Sequence, residues 1–149
     1  MAAVTALSTL GGRVCMDSRG DELSIIRLAD GTLKAGHLAD ISGGTAVGIN
    51  PTGNLDELGG IVRPRYDIDV DTAITAALPI DIVIPQGGHL YNIHIKNPAG
   101  TLYSGEPLIP IAATAGALDK AGDIESEHMA RLFDEVLTTT TFATVIWGV

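Results

Sequence analysis

Side chains able to do acid, base or metal chemistry are few in this sequence, and most stand apart from one another. The densest group is Asp67-Ile68-Asp69-Val70-Asp71, whose alternate carboxylates match the opening of a calcium-binding loop. Such a loop needs glycine at its sixth position and a bidentate glutamate at its twelfth. Thr72 and Leu78 stand there instead, which excludes an EF-hand. On a strand the spacing puts all three carboxylates on one face. That predicts a solvated acidic face, or one that meets a partner's Arg and Lys residues. The four histidines are His37, His89, His94 and His128. His89 and His94 lie an odd number of residues apart, so a regular strand points them to opposite faces, and they share a metal only across a bulge. No His-x-His pair supplies two imidazoles to one strand face. Surface or interface histidines are the expectation, with no metal and no cofactor. The competing reading is a small β-barrel metal-binding protein or enzyme that uses His89 and His94 with Asp67, Asp69 or Asp71.

Nucleophilic chemistry has no clearer signature. Ser104 lacks the Gly-x-Ser-x-Gly elbow, since Leu102 precedes it by two. Cys15 follows Arg13 by two residues, which favours a thiolate, but a small buried thiol is the simpler reading. Gly43-Gly44-Thr45-Ala46-Val47-Gly48 is glycine-rich without the Gly-Lys-Ser/Thr ending of a phosphate loop and reads as a turn. Arg19-Gly20-Asp21 matches an adhesion tripeptide and is read as a polar turn before the first strand. Enzymes concentrate acid, base or metal ligands in one place. With such groups spread over many turns, a binding or structural role is expected, not catalysis.

Composition narrows the partners. The 149 residues are 46% apolar but only 4% aromatic, with 18 glycines and a net charge of −9. A chain of this length and apolarity buries enough surface to fold. Its single cysteine excludes a disulfide framework within the chain. The negative charge opposes contact with phosphate backbones and anionic lipid. No run reaches the 18 apolar residues of a spanning helix, and Met1–Gly12 has no Lys or Arg ahead of its apolar stretch, as a secretory signal would. A soluble chain with no nucleic-acid or membrane contact is expected.

The elements that position these groups carry mainly a two-residue period. Glu22–Leu28 reads as a strand, Asp30-Gly31 as a tight turn, and Leu33–Ile41 as its hairpin return. The glycine pairs between Gly43 and Gly60 mark a loop-rich segment holding at most one short strand, Ala46–Ile49. Arg65–Thr75 alternates as a strand. Ile80–Ile84 and His89–Ile95 form a second hairpin around Gly87-Gly88, and Thr101–Tyr103 and Pro107–Ala113 continue as strands or extended segments. Pro107 and Pro110 are expected only at edges or bulges. In Ser126–Leu137 the apolar Met129, Ala130, Leu132, Phe133, Val136 and Leu137 fall at helical spacing, so period alone predicts a helix. Thr138–Val149 reads as a strand. The sum is an all-β sandwich or barrel with no fixed-period repeat and no domain linker.

Several phrases in this order carry a resemblance: Thr32-Leu33-Lys34-Ala35-Gly36-His37-Leu38-Ala39, Gly87-Gly88-His89-Leu90-Tyr91, Ser104-Gly105-Glu106-Pro107-Leu108 and Ala115-Gly116-Ala117-Leu118. Met129–Val136, Thr138–Thr141 and Thr144-Val145-Ile146-Trp147 complete it. Together they resemble small capsid decoration (cement) proteins of tailed double-stranded DNA viruses, including those of bacteriophages. The resemblance implies a compact β-barrel or β-tulip-like domain over residues 22–149 and an extended N-terminal arm over residues 1–21. It makes Ser126–Leu137 a strand. It implies a structural protein that forms a homotrimer on threefold positions of the virion's outer surface, after synthesis in the host cytoplasm, and stabilises the capsid. Its partner is the major capsid protein, met by arm residues including Ala2, Val4, Leu7, Leu10, Arg13 and Arg19. Small uncharged residues from Ala2 to Gly12 suit strand addition to a neighbour's edge.

Overall fold

The computed structural model describes residues 23–49, 59–95, 102–110, 116–120, 130–134 and 142–148. Within these the regular structure is all strand: β1 (Ser24–Ala29), β2 (Leu38–Asp40), β3 (Thr45–Gly48), β4 (Gly59–Val62), β5 (Pro79–Val83), β6 (Leu90–His94), β7 (Pro107–Pro110), β8 (Leu118–Lys120), β9 (Ala130–Leu132) and β10 (Phe142–Trp147). The all-β expectation is met. The proposed arm, residues 1–21, lies outside the described residues, as do Cys15, Arg19-Gly20-Asp21 and His128.

The first five strands close a barrel in the order β1-β3-β2-β4-β5, and the last five form a curled sheet in the order β6-β10-β9-β7-β8. A single parallel bridge, Ile95 to Leu118, brings the two edges of that sheet together. Once it is included, the two halves have one topology. β1 pairs parallel with β3 and antiparallel with β5, while β2 and β4 complete an antiparallel circuit. β6, β8, β10, β7 and β9 repeat each of these relations. The register repeats as well. Ala29 matches Ile95, Leu38 matches Pro107, Ala46 matches Leu118, Val62 matches Leu132 and Ile82 matches Val145. The chain is thus two copies of one five-stranded barrel motif in tandem. No fixed-period repeat shows in the sequence because loops of different length separate the matched strands, so the spacing between equivalents differs along the chain.

Among the described residues one local device recurs four times and sets where strands begin. The turns Lys34–His37, Thr75–Leu78, Gln86–His89 and Tyr103–Glu106 each hold their third residue at positive φ: Gly36 at 83°, Ala77 at 68°, Gly88 at 81° and Gly105 at 92°. This is the type II turn, which favours glycine at that position. In each, the fourth N–H donates to the first carbonyl, and the third N–H donates to a strand whose own N–H returns to the fourth residue's carbonyl. For Gly105 and Leu132 these bonds are 2.7 Å out and 2.9 Å back, and for Gly36 and Val62 they are 2.8 and 3.0 Å. Ala77 bears the strain of the same conformation, about 1 kcal/mol.

Inward side chains alternate as strands require. Ala29, Leu33, Ala39, Ala46, Val62, Ile74, Ile80 and Ile82 fill the first barrel. Their second-half counterparts, among them Ile95, Leu102, Leu108, Leu118, Leu132 and Val145, fill the second. Leu38, Ile49, Ile61 and Val83 belong to that second cluster and join the two bodies.

Several expectations are corrected. β1 and β2 are not a hairpin, because β3 lies between them. Asp30 does make its turn, accepting from the Thr32 N–H at 2.8 Å, but the Gly36 turn then redirects the chain past the neighbouring position. β5 and β6 are not a hairpin either, and Gln86–His89 instead crosses from one barrel to the other. Arg65–Thr75 is not a strand. Ile68 N–H donates to the Arg65 carbonyl and Thr72 N–H to the Asp69 carbonyl, so two turns occupy it. Gly59-Gly60 begins β4 where a loop was expected. Its glycine serves packing, since a Cβ on Gly60 would strike the Ile82 methyl and come within 3.1 Å of the Val83 carbonyl. Pro107 and Pro110 sit in β7, a central strand, at its first and last residues, where the missing N–H costs little. The helix expected over Ser126–Leu137 gives way to β9, held on both sides by β7 and β10, with Leu132 buried and Phe133 exposed. Residues 126–129 and 135–137 lie outside the described residues.

Candidate functional site

Two features carry chemistry: the seam between the barrels and the outer face of the first. In the first barrel the Leu28 N–H donates to the Gly44 carbonyl at 3.1 Å, closing β1 on β3. In the second barrel the equivalent N–H, that of His94, donates instead to the Gly36 carbonyl of the first barrel at 2.8 Å. Gly116, equivalent to Gly44, accepts from the Leu38 N–H at 2.8 Å and donates to the Ile49 carbonyl at 3.0 Å. The start of β2 therefore occupies the seam that the second barrel leaves open. Glycines make the fit possible: a Cβ on Gly36 would lie 2.6 Å from the Phe142 ring, and one on Gly116 would lie 3.1 Å from His37.

His37 and His94 meet at this seam, ring centroids 4.8 Å apart and edge to face, and Phe142 packs on His94 at 5.2 Å. His37 Nδ1 accepts the Lys34 N–H at 3.2 Å, so its proton is on Nε2. Burial, then His94 beside it, then Lys34 push the His37 pKa down from 6.5 to about 4, against a smaller opposite pull from Asp30. Burial and Lys34 lower that of His94, against Asp71. Both rings are neutral at pH 7. Asn92, on the same face of β6, is fully buried, and neither its amide nitrogen nor its carbonyl oxygen has a hydrogen-bond partner.

The outer face of β1 and β3 has the opposite character. Ile26 is 63% exposed, and Leu28 and Val47 are exposed on the same face. Ile26 also borders a groove of about 350 Å³ lined by Arg63, Arg65, Tyr66, Pro79 and Asp81. Tyr66 is 97% exposed, and Arg65 pairs with Asp67 at 2.7 Å.

The residues singled out for chemistry do not converge. Asp67, Asp69 and Asp71 are exposed as expected, but on turns instead of one strand face. His89 stands before β6 and His94 at its far end, about 16 Å away along a strand. His89 and His94 therefore do not share one site. Among the described residues no three His, Cys, Asp or Glu side chains are grouped to hold a metal ion. The sequence reading missed the pairing of His37 with His94, which depends on contact between halves. It also missed the exposed Ile26 and Leu28, whose signal was present: β1 has apolar residues on both faces, more than one core can use.

No protein-family model matches the chain, and no curated protein matches it in sequence. Fold and site define its class only as an all-β protein of two like barrels joined through a histidine-lined seam.

Proposed function

We propose that this chain is a capsid decoration protein of a tailed double-stranded DNA virus. It binds the outside of the major capsid protein shell as a trimer and stabilises the head against the pressure of packaged DNA. The observation that carries this reading is where the family-like phrases fall. Lys34-Ala35-Gly36-His37, Gly87-Gly88-His89 and Ser104-Gly105-Glu106 lie on turns of one recurring design, and each turn starts a barrel strand. These phrases therefore share a structural purpose beyond chance composition. An acidic body with an exposed apolar face suits attachment to a protein surface and not to nucleic acid. Repetition over a shell lets many weak contacts act together.

The test is cosedimentation with purified capsids of the source virus, expanded and unexpanded, followed by electron microscopy. Density on the outer surface at threefold positions is the expected result. Binding to neither form of the shell overturns the reading.

A further inference from the structure

Asn92 and His94 stand on one face of β6, opposite the core side chains Tyr91, Ile93 and Ile95. Asn92 is nevertheless fully buried, and Thr144, its direct neighbour on β10, is buried as well. Phe142, opposite His94 on the same strand, is buried too. Three polar atoms are enclosed there with no hydrogen-bond partner among the described residues: Asn92 Nδ2, Asn92 Oδ1 and His94 Nδ1. The one other buried atom of this kind among the described residues, Arg65 Nε, lies 2.7 Å from the Asp67 carboxylate. The unmet hydrogen-bonding capacity of the described residues is therefore gathered on this face of β6.

An amide and an imidazole nitrogen left bare carry their full desolvation cost, a large fraction of a domain's net stability. The chemistry of the three atoms says what meets it. Nδ2 donates and Oδ1 accepts, so turning the amide over gains nothing. A cation on Oδ1 would leave Nδ2 unpaired, and an anion on Nδ2 would leave Oδ1 unpaired. His94 is neutral at pH 7 and accepts or donates at Nδ1 according to its tautomer. The matching partner is small, uncharged, and both donor and acceptor. Side chains two residues apart on a strand are separated by about 6.6 Å. A water hydrogen-bonded to both spans up to about 6 Å between the bonded atoms, which the reach of the two side chains brings within range. Three polar protein atoms is also the usual number around a buried water.

We infer that Asn92 and His94 hold a buried water molecule that bridges the two side chains beside the seam. His94 is then fixed from two directions, since its backbone N–H donates to the Gly36 carbonyl of the first barrel and its ring is held by the water. The ring keeps its place against His37 and Phe142. Asn92 is thus a water-binding residue at a position that packing alone would fill with an apolar side chain. The site is internal and independent of whatever the outer surface of the protein binds.

The test is a crystal structure of the full chain, together with magnetic relaxation dispersion of water oxygen on the wild type and on Asn92→Leu, a change of similar size. An ordered water within about 3.2 Å of both the Asn92 amide and His94 Nδ1 is expected, with fewer long-lived waters in the variant. Urea denaturation adds a sign. With a bound water, Asn92→Leu is expected to lower the midpoint by about 1 M, because the water loses its partners and His94 is left bare. A dry site makes the same change neutral or stabilising, because it removes two bare polar atoms. A raised or unchanged midpoint, an unchanged number of long-lived waters, or a crystal structure with the Asn92 amide bare or bonded to another group of the chain overturns the inference. The wild-type crystal structure decides alone if the variant does not fold.

Discussion

At the scale of single residues, the seam ties stability to pH. The His37 pKa lies near 4 when folded and 6.5 when unfolded, so between those values the unfolded chain takes up a proton that the folded chain refuses. Stability is therefore full above pH 6.5 and falls as pH drops, by up to about 3 kcal/mol at pH 4. His94 shifts in the same direction and adds to the slope. Urea denaturation between pH 7.5 and 4 is expected to show this loss, and His37→Gln to flatten it. A His37 resonance that titrates near 6.5 in the folded protein would disprove the assignment. Glycine supplies a second residue-scale test, because Gly36 and Gly105 share one conformation but not one environment. Gly105→Ala meets only backbone strain and is expected to cost about 1 kcal/mol. Gly36→Ala adds the clash with Phe142 and is expected to cost about 3 kcal/mol or more. Equal losses in denaturant midpoint would show that the seam does not pack on Gly36. Gly36 falls inside the strand expected over Leu33–Ile41, so its turn was not legible in the sequence. The different costs at Gly36 and Gly105 were not legible either, since Phe142 is far along the chain from Gly36.

At the scale of elements, β9 shows how a periodic pattern misleads when neighbours decide. Met129, Leu132, Phe133 and Val136 have the spacing of a helical stripe, which would bury Leu132 and Phe133 together. Paired between β7 and β10, the chain alternates instead, with Leu132 inside and Phe133 out. Leu132→Ala is expected to cost about 3 kcal/mol and Phe133→Ala less than about 1 kcal/mol. Comparable losses at both positions would restore the helical reading. The hairpin expectations failed for a related reason. Turn chemistry at Asp30-Gly31 and Gly87-Gly88 was read correctly, but a turn specifies a change of direction and not the strand that will accept the hydrogen bonds. Here partners come from beyond the next strand, so β1 closes on β5 and β6 on β10.

At the scale of the whole molecule, arm and barrels are expected to divide the work. Removal of residues 1–21 is expected to leave the oligomer intact and abolish capsid binding, read by sedimentation and by cosedimentation with shells. Loss of the oligomer on truncation would place self-association in the arm. The all-β class, the turns at Asp30-Gly31 and Gly87-Gly88, and the acidity were determined by the sequence alone, because each depends on residue type and short-range spacing. The tertiary structure alone decided the doubling of the barrel, the meeting of His37 with His94 and the exposure of Ile26 and Leu28. Each of these depends on hydrogen-bond partners and packing contacts between residues distant in the chain, and loops of unequal length conceal the repeat from any fixed period.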